Sequence, residues 1–405
     1  MSRTFVIRLT ALTASVALTA GIPAAVAAAT HSKGTAPSAA HASSGPLVDV
    51  LPLRTLSVRN AAAELNDAGF NPSTLRYGVD TYRLVYRTVD PHGQPTTASG
   101  LLALPRSPAR RLHMVSFDHG SSVYRAEAPS ITQDAFDSAA PLVYASAGFA
   151  TVAPDYLGLG LGPGQHPWED VPSETTASLD MLRAARSYVA TTGRELARGV
   201  LVTGFSQGAS AAIALGRALQ NGADRWFRLA ALAPVSGAYS WQHIELPALL
   251  SGKLNPIWSA AYTAYFVVTW NRLHPFYDRP AQVFKDPSVA GLFDGLHIGQ
   301  DILMGLPRTV GALLTTDGFA VLRHPTGQLA AAMRVHDAIC TSWTPHVPVR
   351  LYLASGDDQV ANANTDQCAA ALRQRGADVK TVDVGKVDHF GSLRRATTAI
   401  VRWFG

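Results

Sequence analysis

The pentapeptide Gly204-Phe205-Ser206-Gln207-Gly208 constrains this chain more than any other stretch. Before it runs Gly199-Val200-Leu201-Val202-Thr203, an apolar run that reads as a buried strand. After it, Ala209 to Gln220 carries Ala and Leu at helical spacing. Strand, G-x-S-x-G, helix is the context of a nucleophile elbow. A serine there sits on a sharp, strained turn with its hydroxyl raised above a sheet. The flanking glycines are needed because the strand and helix backbones pass too closely for a Cβ. Amides at the helix N-terminus then favour negative charge near the hydroxyl. The competing reading of the same five residues is a glycine-bracketed N-cap serine.

The surrounding chain supplies the sheet that an elbow requires. Leu56 to Ala68 has helical spacing. Tyr82 to Val89 alternates apolar and polar residues, Pro91 to Pro95 is a turn, and Thr97 to Leu104 completes an antiparallel hairpin expected at a sheet edge. From there strands alternate with helices. Leu112 to Phe117, Phe149 to Asp155 and Phe227 to Val235 read as strands. Ala135 to Ala147 and Ser173 to Ala190 read as helices, with Ser173 as the expected N-cap. Such alternation means a mostly parallel sheet with helices on both faces. Ligands then gather at the carboxyl ends of its strands.

The alternation lapses between about Trp241 and His336, where helical apolar runs are broken by several prolines, among them Pro247, Pro256, Pro275, Pro280, Pro287 and Pro307. This segment reads as a helical insertion over the site, against an independent partner-binding domain. Its run Tyr262, Tyr265, Phe266 and Trp270 suits an acyl pocket and a plain core equally well. Alternation returns with a strand over Val347 to Ala354, a helix over Thr365 to Arg375, a strand over Val379 to Val384 and a last helix over Ser392 to Phe404. With 405 residues the chain is one large domain with an insertion, or two domains.

Composition excludes some functions. The net charge of +5 is scattered, with Arg106, Arg110 and Arg111 the nearest approach to a cluster. No basic run is interleaved with aromatics, so no nucleic-acid partner is expected. Gly158 to Gly164 is glycine-rich but misses the G-x-G-x-x-G register, and proline interrupts the helix start that a dinucleotide needs. It is expected to shape the pocket mouth instead.

Arg3 and Arg8 precede an apolar stretch from Leu9 to about Ala27 that ends in small residues suited to cleavage. Residues 1–28 therefore read as a secretory signal peptide and the chain as secreted, against an uncleaved anchor. Residues 29–46, rich in Ala, Ser, Thr and Pro, read as a disordered linker. Cys340 and Cys368 flank one expected strand. A disulfide between them or two buried thiols both fit, and their spacing suits no metal site.

A serine hydroxyl needs an imidazole to take its proton and a carboxylate to orient that imidazole. Chain order offers Ser206, then Asp357 or Asp358, then His389, each in a loop after a strand. Asp357 is preferred because Val360, three residues on, can anchor the turn. Of thirteen histidines, His113, His119 and His346 are the alternatives to His389. Asp388 adjoins His389 too closely to reach its Nδ1. The oxyanion needs two backbone donors. Gln207 N–H follows the nucleophile, and Ser121 N–H is the choice from the loop after Leu112 to Phe117, with Gly120 or Ser122 also placed.

Asp118-His119-Gly120-Ser121, Ala153 to Gly160, Gly204 to Gly208 and Trp343 to Pro348 together resemble the secreted lipase/esterase branch of the α/β-hydrolases. The likeness spans about Leu84 to Trp403. It implies an α/β-hydrolase fold over 47–405 with a helical cap at about 241–336. It also implies carboxylic-ester hydrolysis with neither metal nor cofactor. The expected partner is a small-molecule or lipid ester, with transient contact at a lipid interface left open. Relatives usually carry G-x-x-D-x-x-V at the acid, whereas Gly356 here meets Asp357 directly. A peptidase on this scaffold and an inactive binding protein are the competing functions. No cluster for recognising an amine supports the first, and the complete Ser, Asp, His order opposes the second.

Overall fold

The computed structural model describes residues 46–132 and 135–405. The signal peptide expected over 1–28 and the linker expected over 29–46 fall, but for Pro46, outside the described residues. Nine strands are joined by backbone ladders: β1 (Leu47–Leu56), β2 (Val79–Val89), β3 (Pro95–Pro105), β4 (Arg111–Asp118), β5 (Ala150–Pro154), β6 (Glu195–Phe205), β7 (Arg228–Val235), β8 (Val349–Leu353) and β9 (Val379–Asp383). They lie in one sheet in the order β1-β2-β3-β5-β4-β6-β7-β8-β9. The first three strands and the β3/β5 pair are antiparallel. Every pair from β5 through β9 is parallel.

Strand alternation divides the core into two layers. Leu112 and Met114 of β4 face one cluster, with Met181, Ile213 and Leu372. Those three come from α3 (Val171–Thr191), α4 (Gln207–Gln220) and α11 (Ala363–Gln374). Val115 and Phe117 face the opposite cluster, with Leu65, Val143 and Ile400. These belong to α1 (Val58–Asp67), α2 (Ala135–Ala147) and α12 (His389–Phe404). Both faces of the central strands are thus covered, which is why they read as near-continuous apolar runs.

Between β7 and β8 the chain forms a third cluster of its own. A π-helical turn over Trp241–Glu245 leads into α5 (Leu246–Ser251), α6 (Pro256–Leu273), α7 (Gly299–Gly305), α8 (Val310–Leu313), α9 (Thr316–Arg323) and α10 (Gly327–Asp337). This cap is built around α6. Pro256 pre-sets its first turn and Asn255 caps it, accepting from Ile257 N–H at 3.1 Å. Phe266 is fully buried and stacks on Trp241 at 4.8 Å. Burying a Phe contributes about 2–3 kcal/mol. The cap's last helix is tied to the rest by a buried pair, His336 Nε2 to Glu169 Oε2 at 3.1 Å.

Two expectations need correction. The β2–β3 hairpin is not the sheet edge, because β1 pairs antiparallel outside it. α3 is capped by Asp170, whose carboxylate accepts from Ser173 N–H at 3.1 Å; Ser173 lies inside the first turn. Among the described residues no helix is long and apolar enough to cross a membrane.

Candidate active site

β6 ends at Phe205, α4 begins at Gln207, and Ser206 makes the turn between them at φ 56°, ψ −120°. A non-glycine residue held there costs about 1–3 kcal/mol, tolerated only where its surroundings enforce it. Ser206 N–H donates to the Val235 carbonyl at 3.0 Å, and the Ser206 carbonyl accepts from Ala209 N–H at 2.9 Å. A Cβ at Gly204 would run into the Gly208 carbonyl, and one at Gly208 into the Asp118 carbonyl. No side chain fits either position, so the G-x-S-x-G spacing is a steric requirement of this crossing.

His389 is the first residue of α12. Asp388, discounted as a partner for its neighbour, caps that helix by accepting from Gly391 N–H at 2.6 Å. His389 Nδ1 lies 2.8 Å from Asp357 Oδ2, and both side chains are 1% exposed. The other Asp357 oxygen accepts from the N–H groups of Gln359 and Val360, each at 3.1 Å. Burial works to raise the Asp357 carboxyl. The His389 charge and these hydrogen bonds outweigh it and hold the group below the usual carboxylate range. Asp358, the adjacent candidate, points elsewhere and accepts from Asn255 Nδ2 at 3.1 Å. His389 Nε2 is buried and makes no hydrogen bond among the described residues. It and Ser206 line one cavity.

That cavity has a volume of about 200 Å³. Its walls are mostly apolar, with Phe117, Phe136, Phe205 and Phe390 from the sheet domain facing Trp258, Tyr262, Tyr265 and Ile302 from the cap. The aromatic run of α6 therefore splits. Tyr262 and Tyr265 line the cavity, while Phe266 and Trp270 fill the cap core. His119, Gly120 and Ser121 form another wall. The Ser121 hydroxyl accepts from Trp168 Nε1 at 2.7 Å. The His119 ring is taken up by the backbone, with Nδ1 2.7 Å from the Gly120 carbonyl and Nε2 3.4 Å from that of Asp155. Burial pushes its pKa down to about 4. His113 and His346 are exposed. Gly158 to Gly164 does not line the cavity as expected. Arg125 Nη2 donates to the carbonyls of Gly158, Gly162 and Gly164, so the loop braces the segment behind Ser121 and Ser122.

The Gln207 side chain shows a feature invisible in the sequence. Its Nε2 donates to Glu174 Oε1 at 2.6 Å and approaches His166 Nε2 at 2.9 Å. An amide nitrogen only donates, so His166 Nε2 accepts and Nδ1 carries the proton toward the Leu157 carbonyl, 2.9 Å away. Burial, then the Glu169 charge, pushes the Glu174 carboxyl well up. Cys340 and Cys368 are joined by a disulfide.

No protein-family model matches the sequence, and neither does any curated protein. Solved structures do. The chain is similar to the rice cell wall degrading esterase LipA from Xanthomonas oryzae, with TM-score 0.79, 26% identity, and 89% of this chain and 97% of that one covered. The chain has the α/β-hydrolase fold, and its neighbours are consistent with the lipase/esterase branch. A Legionella pneumophila protein assigned only provisionally as a hydrolase matches this α/β-hydrolase at TM-score 0.81 and 25% identity, over 89% and 97% of the two chains. Candida antarctica lipase A shares the fold at TM-score 0.64 and 15% identity, over 88% and 82%. These neighbours support an ester hydrolase in general terms.

Proposed function

We propose that this α/β-hydrolase cleaves carboxylic esters through Ser206, His389 and Asp357, and that it works outside the cell. The observation that carries the reading is the buried His389–Asp357 hydrogen bond of 2.8 Å beside a serine held in a strained elbow at the floor of an apolar cavity. Asp357 holds the proton on His389 Nδ1, which leaves Nε2 as a base. Ser206 Oγ attacks the ester carbonyl and His389 Nε2 takes its proton. Gln207 N–H and Ser121 N–H receive the oxyanion. The alcohol leaves with the proton from His389, and water then releases the acid by the same route. Apolar walls favour an apolar acyl group and exclude bulk water from the oxyanion, which strengthens each donor. Supporting the extracellular setting are the cleavable-looking segment at residues 1–28 and the Cys340–Cys368 disulfide, a bond that persists in oxidising compartments.

A fluorophosphonate probe tests the reading. One equivalent should attach to Ser206, and Ser206→Ala should lose both labelling and turnover of a p-nitrophenyl ester. Full turnover by that variant would remove the mechanism.

A further inference from the structure

We propose that the cap is a positioning element for the catalytic acid, acting through Glu245 and Tyr262 on the loop that carries Asp357. This rests on the reading of Asp357 as the acid of the triad. The stretch from Asp357 into the first turn of α11 belongs to the sheet domain by sequence, yet the cap holds it at Asp358, Gln359, Val360, Ala361 and Asn364. Asn255, at the start of α6, donates from its N–H to the Asp358 carbonyl at 2.8 Å and from Nδ2 to the Asp358 carboxylate. Tyr262 donates its hydroxyl to Gln359 Oε1 at 2.7 Å. Val360 packs within the cap's apolar cluster. Glu245, in the π-helical turn, accepts through one oxygen from Ala361 N–H at 3.1 Å and from Asn364 Nδ2 at 2.7 Å. Asn364 in turn accepts from Ser240 N–H at 2.9 Å. From the sheet side, the Ala354 carbonyl accepts from Asp357 N–H and Asn362 Nδ2.

The path to the carboxylate is short. Asp357 Oδ1 is oriented by the N–H groups of Gln359 and Val360, the two residues whose side chains are seated on Tyr262 and in the cap core. A shift of the cap turns those amides and so turns the carboxylate that faces His389 Nδ1. Glu245 is 2% exposed, and burial pushes its carboxyl up to about 8. A glutamine matches it in shape and can accept the same two hydrogen bonds through its amide oxygen. Tyr262 also lines the cavity, so a group that displaces its ring acts on the acid loop as well as on the acyl site.

Four variants of the full chain test this: Glu245→Leu, Glu245→Gln, Tyr262→Phe and Asp357→Ala. The readouts are kcat and KM on p-nitrophenyl acetate and the far-downfield proton NMR signal of His389 Nδ1–H. Glu245→Leu should shift or broaden that signal. It should also lower kcat about 10- to 100-fold with KM within about twofold, since a displacement near 1 Å costs up to about a hundredfold. Glu245→Gln should restore both. Tyr262→Phe should shift the signal in the same direction and lower kcat by a smaller factor. An unmoved signal with wild-type kcat in Glu245→Leu and Tyr262→Phe overturns the proposal, as does equal loss in Glu245→Leu and Glu245→Gln. If Glu245→Leu does not fold, Tyr262→Phe decides on the same readouts. Wild-type kcat in Asp357→Ala sinks the triad itself, whereas loss there beside unaffected cap variants sinks this inference alone.

Discussion

Asp357→Asn should abolish nearly all turnover while leaving the fold intact. Asn has the same shape, and its Oδ1 can still accept from the amides of Gln359 and Val360. Its NH₂ then occupies the place of Oδ2, 2.8 Å from His389 Nδ1. Donor would meet donor, so the imidazole must give up its Nδ1 proton and carry it on Nε2. In that tautomer Nε2 cannot take the proton of Ser206. Loss of the correct tautomer costs about 10⁴ in kcat, or about 5.4 kcal/mol of barrier. Asp358→Asn is the internal control, because that carboxylate accepts from Asn255 and not from His389. It should cost less than about tenfold, the range of a single hydrogen bond of about 1 kcal/mol. The assay is steady-state hydrolysis of p-nitrophenyl acetate, with far-UV circular dichroism as the folding check. A loss below about tenfold in Asp357→Asn, or an equal loss in Asp358→Asn, would refute the tautomer argument.

Replacing both Cys340 and Cys368 by Ser opens a loop of sequence separation 28, which should cost about 3–4 kcal/mol by chain entropy; thermal unfolding of the variant beside the oxidised wild type measures it, and equal Tm values for the two proteins would contradict it. Burial works to lower the His336 pKa, but its pairing with the Asp337 and Glu169 carboxylates raises it to about 9. The folded pKa thus exceeds the unfolded one, so the contribution is whole below about pH 6.5 and is lost as pH rises toward 9. Wild-type Tm should fall across that window more steeply than the Tm of His336→Gln, and parallel curves would show that the pair adds no such dependence.

What could be read in advance follows from how local each signal is. The elbow was legible because Gly204, Ser206 and Gly208 answer to a crossing only a few residues long. The meeting of His389 with Asp357 was reachable because loops after parallel strands open on the same edge of the sheet. β1 escaped notice because Pro52 and its exposed Val48 and Leu51 blur the alternation of an outer strand. The cap of α3 was misplaced because Asp170 and Ser173 both suit the role, and Pro172 favours the earlier start. Glu174, His166 and Glu245 carried no local sign at all. Each is a polar residue whose partner lies more than thirty positions away, and only the folded chain brings them together.

The outermost strand has a consequence for how copies of this molecule meet. Among the described residues no strand pairs with the outer side of β1, which also exposes Val48 and Leu51, the ingredients of intermolecular pairing. Pro52, near its middle, offers no N–H, and its ladder slips register between Leu47 and Asp49 and again between Pro52 and Arg54. A second chain zipping alongside would find its hydrogen bonds interrupted within a few residues. The rim is thereby a poor seed for aggregation, and Pro52→Val would be expected to make concentrated solutions turn cloudy on standing.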